Sequence, residues 1–349
     1  MAKTTVGVDI GNRSVRAVEI EVGRKGRPVV VRYHEMPLPE GAVRNGEVVE
    51  VNTVAAVLKQ LWSAGGFTSK KVVLGVGNPK VLVRDLTVPK LGLSEIRKAL
   101  PFQVQDMLPL PVADAILDFY PVSESEGESG PVVNGLLVAA VKASVMANVT
   151  AVQLAGLTPV EVDLIPFAMN RVLVGGPMAS GTIALVDIGS NTTNVTITKN
   201  GIPQFVRIIP AGGADVTKAL SGRLGISVEQ AELSKQQLGL SPREFSPDQA
   251  EAVATIDELT HDLLNSLRNT LSFYINSRQS SQIDRIMLSG GGSTMGSFGE
   301  ALSELTRIPV THEDPFEHVT ISKSAAKAAP ASGTGAMTVA LGLALGSAA

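Results

Sequence analysis

The chain has 349 residues with 30 Lys and Arg against 33 Asp and Glu, a net charge of -3, so it can form two or more domains with full cores and carries no broad basic face for nucleic acid. It contains no cysteine, which excludes a disulfide framework, a thiol nucleophile and a cysteine zinc site. Its histidines, His34, His261, His312 and His318, never fall in a HExxH spacing, so no metal site is expected beyond an ion carried in by a ligand.

Lys3 leads straight into a short apolar run and a polar turn, without the apolar core of a secretory signal, and the chain is expected to stay in the cytoplasm. Residues 6–20 (VGVDIGNRSVRAVEI) read as strand, polar turn and strand. A third strand is expected at 28–36, then a helix at 54–64 capped by Asn52 or Thr53, then a buried strand at 71–76. Gly75 and Gly77 do not complete GxGxxG, so a dinucleotide fingerprint is not supported. From 79 to 155 the pattern changes to that of a compact inserted α+β module. It has strands at 81–88, 116–122 and 132–141 and helices at 94–107 and 144–155. The acidic stretch SESEGESGP at 123–131 reads as a mobile hairpin loop, because it offers no apolar anchor.

A strand at 160–165 and a helix at 166–174, opening on Pro166 and ended by Gly175 and Gly176, lead to a second unit, ALVDIGSNTTNVTI at 184–197. A strand at 202–210 and a glycine turn at 211–215 feed a helix at 216–224. Helices at 228–238 and 247–279 follow, the latter with Ile256, Leu259, Leu263, Leu264, Leu267, Leu271 and Ile275 on one stripe. A buried strand at 283–288 runs into Ser289, Gly290, Gly291 and Gly292 and a helix from near Met295, an order that brings backbone close to a ligand. The apolar run 336–345 is about half the length of a membrane span and reads as a buried helix, with Gly342 permitting close packing.

The stretch VDIG occurs at 8–11 and again at 186–189. Gly11 and Gly189 let turn amides approach phosphate oxygens, and Asn12, Ser14, Ser190, Thr192 and Thr193 supply short donors. Asp9 and Asp187, at strand ends, are placed to hold a magnesium ion through its waters. One such hairpin alone is an ordinary polar turn. Two, half a chain apart, point to a duplicated domain whose two clamps converge on one triphosphate.

Two DxG hairpins, a glycine turn into a helix, a helical block and a late GGG loop, in this order, resemble the actin-like ATPase superfamily that includes actin, FtsA and the sugar kinases. The resemblance implies a two-lobed α/β fold, actin-like and ribonuclease H-like, with the α+β module inserted in the first lobe. It places Asp9, Gly11, Asn12 and Ser14 in the first phosphate loop, Asp187, Gly189, Asn191 and Thr192 in the second, and Gly290, Gly291 and Gly292 in the adenosine loop. AGGADVTKAL from Ala211 and AELSK from Ala231 are similar to the FtsA branch, where the second segment gives Glu and Lys to the nucleoside. Glu232 and Lys235 match, although they read equally well as an exposed i, i+3 pair, and Gly212 and Gly213 are expected beside the phosphates. The implied division is first-lobe core at 1–78, module at 79–155, return at 156–180, second-lobe core at 181–215 and 283–322, helical subdomain at 216–282 and a closing helix within 323–349.

KLGLSEIRKALPFQVQDMLPLPVADAILDF from Lys90 and TVALGLALG from Thr338 are similar to the PilM family, cytoplasmic actin-like proteins of type IV pilus assembly. No counterpart of the amphipathic helix that closes FtsA is expected. The PilM resemblance implies ATP and Mg2+ as cofactors, and a cytoplasmic peptide of a PilN-type inner-membrane protein in a groove beside the module. It also implies contact with other pilus assembly proteins and attachment to the membrane through partners. The superfamily positions water with Gln or Glu at the start of the helix joining the halves, where the pattern puts Pro166, which has no side-chain acceptor. Asp163 and Glu161 are the nearby substitutes, no catalytic residue is assigned, and slow or absent turnover is expected. A small-molecule kinase or phosphatase of the same superfold, or an FtsA-like filament former, are the alternatives.

Overall fold

The computed structural model describes residues 3–22, 28–174, 179–240, 244–278, 282–317, 319–327 and 333–346. β1 (Lys3–Ile10), β2 (Ser14–Val22) and β3 (Val29–Pro37) form an antiparallel meander, and a small hairpin, β4 (Val43–Arg44) with β5 (Glu47–Val48), precedes α1 (Val51–Gly65) and β6 (Lys71–Val76). α1 starts at Val51 behind Glu50, so Asn52 and Thr53 lie inside it and neither is the cap. The Thr53 hydroxyl instead donates back to Glu50 at 2.8 Å.

The inserted segment comprises β7 (Leu82–Pro89), α2 (Leu93–Gln103), β8 (Ala115–Gly127), β9 (Gly130–Val141) and α3 (Lys142–Leu154), with sheet order β7-β9-β8. Its core is Val88, Ile96, Leu100, Val104, Phe119, Val133 and Leu137. The acidic stretch is not a loop: β8 runs through it, pairing Glu124 with Val133 and Gly127 with Gly130, which leaves only Glu128 and Ser129 in the turn. A polar ladder stabilises it, since Thr87 donates to Asn134 and Asn134 donates to Ser125. α2 ends two residues after Pro101, and a 3-10 turn covers Gln105–Met107.

β10 (Thr158–Leu164) and α4 (Ile165–Leu173) complete the first lobe, while Gly175 and Gly176 lie outside the described residues. β11 (Thr182–Ile188), β12 (Thr193–Lys199) and β13 (Ile202–Ile209) are a second meander, followed by α5 (Gly213–Leu224), α6 (Val228–Leu238) and α7 (Ala250–Ser277). On α7 Ile275 is exposed and Tyr274 is buried in its place, because the stripe drifts by one position along a 3.6-residue repeat. Gln279 and His318 lie outside the described residues. β14 (Arg285–Ser289) enters a 3-10 turn, Gly291–Thr294, so α8 (Phe298–Thr306) begins three residues later than Met295. β15 (Val310–His312), β16 (Thr320–Ile321) and α9 (Thr338–Gly346) close the described chain.

The sheet orders are β10-β6-β1-β2-β3-β16 and β13-β12-β11-β14-β15. Each is a hairpin meander extended by parallel strands beside its first member, and the first sheet adds β16 parallel to β3 at its other edge. The duplication read from the two VDIG units is therefore a duplication of sheets. α4 and α9 lie between the sheets, and one core joins Val18, Ile20 and Val73 of the first to Ile183, Leu185 and Met287 of the second. α9 is apolar all round and buried from Thr338 to Ala344. Such a fit requires glycines at the crossings: a Cβ on Gly342 would lie 2.0 Å from the Ala168 carbonyl oxygen, and one on Gly7 of β1 would lie 2.0 Å from that of Ala340. No described helix is long and apolar enough to cross a membrane.

Candidate functional site

The two hairpins turn in the same way. The Gly11 amide donates to the Ser14 carbonyl at 3.0 Å, and the Gly189 amide to the Thr192 carbonyl at 2.9 Å. Asp9 faces Arg16 across the first hairpin and Asp187 faces Asn194 across the second. In each case the cross-strand residue donates to the aspartate's Oδ2, at 3.2 Å. All four pairs of positions are separated by the same interval, 187 - 9 = 189 - 11 = 192 - 14 = 194 - 16 = 178.

Both hairpins open on one cleft of about 690 Å³. Its walls include Asp9, Gly11, Asn12 and Ser14 from the first lobe and Asp187, Gly189, Thr192, Gly213, Glu232, Lys235, Gly290, Gly291 and Gly292 from the second, with Ala336 and Val339 from the α9 end. Asn191 is absent from the lining, and Gly212 lines an adjoining cavity instead. The first amides of α5 point into the fold, because Gly213 and Ala214 donate to the Gly189 and Ser190 carbonyls at 3.0 and 2.7 Å. Ser14 and Thr193 are likewise engaged, Ser14 Oγ donating to Glu35 Oε1 at 2.7 Å and Thr193 Oγ1 to the Ala211 carbonyl at 2.8 Å.

The late glycine loop folds over Asp187. Gly290 sits at φ 83°, and a Cβ there would meet the Ile188 carbonyl oxygen at 2.4 Å and Asp187 Oδ1 at 2.6 Å. Burial pushes Asp187 up to about 6 from its ordinary 3.8; the Asn194 hydrogen bond opposes this and the charge of Asp9 adds to it. Burial also raises Asp9, against the charge and hydrogen bond of Arg16. Asn194 Oδ1, buried beside these carboxylates, has no hydrogen-bond partner.

Two crowded carboxylates, one held by a neutral amide, suit a divalent cation that would neutralise them and whose waters would satisfy Asn194. Among the described residues no three His, Cys, Asp or Glu side chains gather to ligate a metal directly. That donor set fits an ion held through water and a ligand's own oxygens.

Glu232 and Lys235 are not an exposed pair. Lys235 is buried, and its Nζ donates to the Gly213 carbonyl at 3.0 Å, Thr217 Oγ1 at 2.9 Å and Glu232 Oε2 at 2.9 Å. Burial pushes the Glu232 carboxyl up, but hydrogen bonds from Thr217 and Lys235 and the charges of Lys235 and Arg13 outweigh it, and its pKa is lowered.

The joining helix brings Ile165, not Pro166, to the cleft wall beside Gly75 and Gly77. Pro166 is buried in the first turn of α4. Asp163 accepts from the Leu164 amide at 2.7 Å and pairs with Arg171, Glu161 is exposed, and neither lines the cleft. Sequence reasoning missed Arg13, Arg16, Glu35 and Asn194, all lining residues. Arg16 bridges Asp9 to Glu35, its Nε 2.9 Å from Glu35. The period-2 alternation of the hairpins puts Arg16 and Asn194 on the aspartates' face, a signal that was available.

The profile of the family described as type IV pilus assembly protein PilM matches residues 7–348. A solved PilM-PilN type IV pilus biogenesis complex is similar over 98% of this chain and 97% of that one, with 25% identity and a TM-score of 0.83. MreB5 of Spiroplasma citri bound to ADP matches over 97% and 94%, at 10% identity and a TM-score of 0.55. Cell division protein FtsA of Bacillus subtilis is 23% identical over 258 residues, 67% of this chain, and the chain spans 58% of that relative's length. The fold is thus the actin-like one implied by the order of motifs.

Proposed function

The chain belongs to the type IV pilus assembly protein PilM family, and on that premise we propose that it is a nucleotide-binding adaptor: it holds magnesium ATP in the cleft and a PilN-type cytoplasmic peptide beside the inserted module. The observation that carries the nucleotide half is the meeting of Asp9 and Asp187, at matched positions of matched hairpins, in one cleft. The solved relative MreB5 is bound to ADP in one structure and to AMPPNP in another. In this reading Asp9 and Asp187 hold the ion through water, the turns at Gly11 and Gly189 take the phosphates, and Gly290, Gly291, Gly292, Glu232 and Lys235 border the nucleoside. The ion, when bound, supplies charge neutralisation between carboxylates and phosphates.

Support for the partner comes from the similarity to a PilM-PilN complex along nearly the whole chain. The adaptor works at the cytoplasmic face of the inner membrane, reaching it through PilN and other assembly proteins. Turnover is slow or absent, since the joining helix offers Ile165 and no acceptor to orient water. Two measurements test this reading. Co-purification with the cytoplasmic tail of the cognate PilN-type protein is expected, and its failure removes the adaptor role. Steady-state phosphate release above about one per second, low in the range of ordinary enzymes, contradicts slow turnover.

A further inference from the structure

The interval of 178 that relates the hairpins makes Asn191 the counterpart of Arg13 (191 - 13 = 178). Asn191 stays out of the cleft, whereas Arg13 lines it and crosses it: Arg13 Nη1 lies 3.2 Å from Glu232 Oε2, on α6 of the opposite lobe. Glu232 is a fixed post, since the same oxygen also accepts from Thr217 and Lys235 at 2.7 and 2.9 Å. Arg13 is the movable member, its side chain 61% exposed against 15% for Glu232.

The other cations lining the cleft are committed elsewhere, Arg16 to Asp9 and Glu35 and Lys235 to Gly213, Thr217 and Glu232. An exposed guanidinium meeting one carboxylate oxygen that Thr217 and Lys235 already share is weakly held, and phosphate offers it a stronger two-point contact. We propose that Arg13 is both a bar across the cleft and a phosphate ligand: it joins the first hairpin to Glu232 when no phosphate is bound, and an entering polyphosphate draws the guanidinium off Glu232 onto itself. The exchange gives the first hairpin its cation and returns an acceptor position on Glu232 to the ligand. It rests on reading the cleft as a phosphate site.

Competition makes the test specific. Inorganic tripolyphosphate with magnesium, titrated calorimetrically into the full chain, is expected to bind about tenfold more weakly to Arg13→Ala, with Arg13→Lys in between. Glu232→Gln, which removes the competitor, is expected to bind it about threefold more tightly. The chain has no native cysteine, so spin labels on Glu40→Cys and Gln237→Cys, both exposed positions, report the distance between the lobes. Without ligand that distance is expected to be narrowly distributed, and broader when Arg13→Ala is added.

Equal tripolyphosphate affinity in all variants, or identical distances with and without Arg13, overturns the bar. Should ATP bind normally to Arg13→Ala, the bar falls while the nucleotide reading stands. Should tripolyphosphate follow the expected order while ATP fails to bind, the bar stands and the nucleotide reading falls.

Discussion

Asp187 is where ligand binding and stability pull in opposite directions. Its folded pKa of about 6 lies above the ordinary 3.8, so the folded chain binds this proton more tightly than the unfolded one. The stabilisation is complete below pH 3.8 and is lost as pH rises to about 6, a swing on the order of 3 kcal/mol for this nearly buried group. Asp187→Asn should therefore raise the ligand-free melting temperature at pH 7.5 and flatten the pH dependence of stability between 4 and 6; an unchanged or lower melting temperature counts against this account of Asp187. Arg16→Ala, which strips the counter-charge from Asp9 and Glu35 together, should cost about 3 kcal/mol in urea denaturation, and a cost below about 0.5 would show the network to be incidental. The aspartates and glycines were legible because each hairpin carries them in one short run of sequence. Glu35 was not, since it reaches Arg16 only through the register of β3 on β2. Arg13 and Glu232 meet across 219 positions (232 - 13), a contact that no local pattern encodes.

The clearest element is α9. Its run of apolar residues announced a buried helix, and Gly342 does pack against the Ala168 backbone. Its partner glycine, Gly7, looked like any strand residue until the helix was seen to cross it. Gly7→Ala, which puts a methyl 2.0 Å from the Ala340 carbonyl oxygen and 2.6 Å from the Ala344 amide nitrogen, should destabilise by about 3 kcal/mol. Chemical denaturation checks this, and a loss below about 0.5 kcal/mol would mean that α9 shifts freely. The β8–β9 hairpin shows the opposite failure. Ser and Glu in alternation read as a loop because neither face has a core to bury. The pairing is instead set by the partner strand, whose Val132 and Val133 face Ser125 and Glu124, and by the polar ladder through Asn134. Helix starts moved for a related reason, caps being fixed by backbone geometry that several adjacent polar residues satisfy equally well.

At the scale of the molecule, two sheets built on the same five-strand order, the first carrying β16 in addition, share one core through α4 and α9, so the two walls of the cleft are joined at its floor. The order of motifs carried this architecture in the sequence, because duplication repeats a spacing. The inserted module was visible as a break in that spacing, but its packing on the second lobe was not. Arg278 at the end of α7 donates to Asp85 of β7 at 2.7 Å, and Ile208 of β13 packs on the same apolar cluster as Val83 and Val138. β13 thus touches the module and leads at its end to the Ala211–Gly213 turn. In the proposed function a single magnesium triphosphate is held by both halves. Calorimetric titration of ATP into the full chain tests that most directly, with and without magnesium and with Asp9→Asn and Asp187→Asn alongside. One site per chain, weakened at least about tenfold by removal of magnesium and by each substitution, is the predicted result. No binding by the unaltered chain, or binding indifferent to both aspartates, would contradict it.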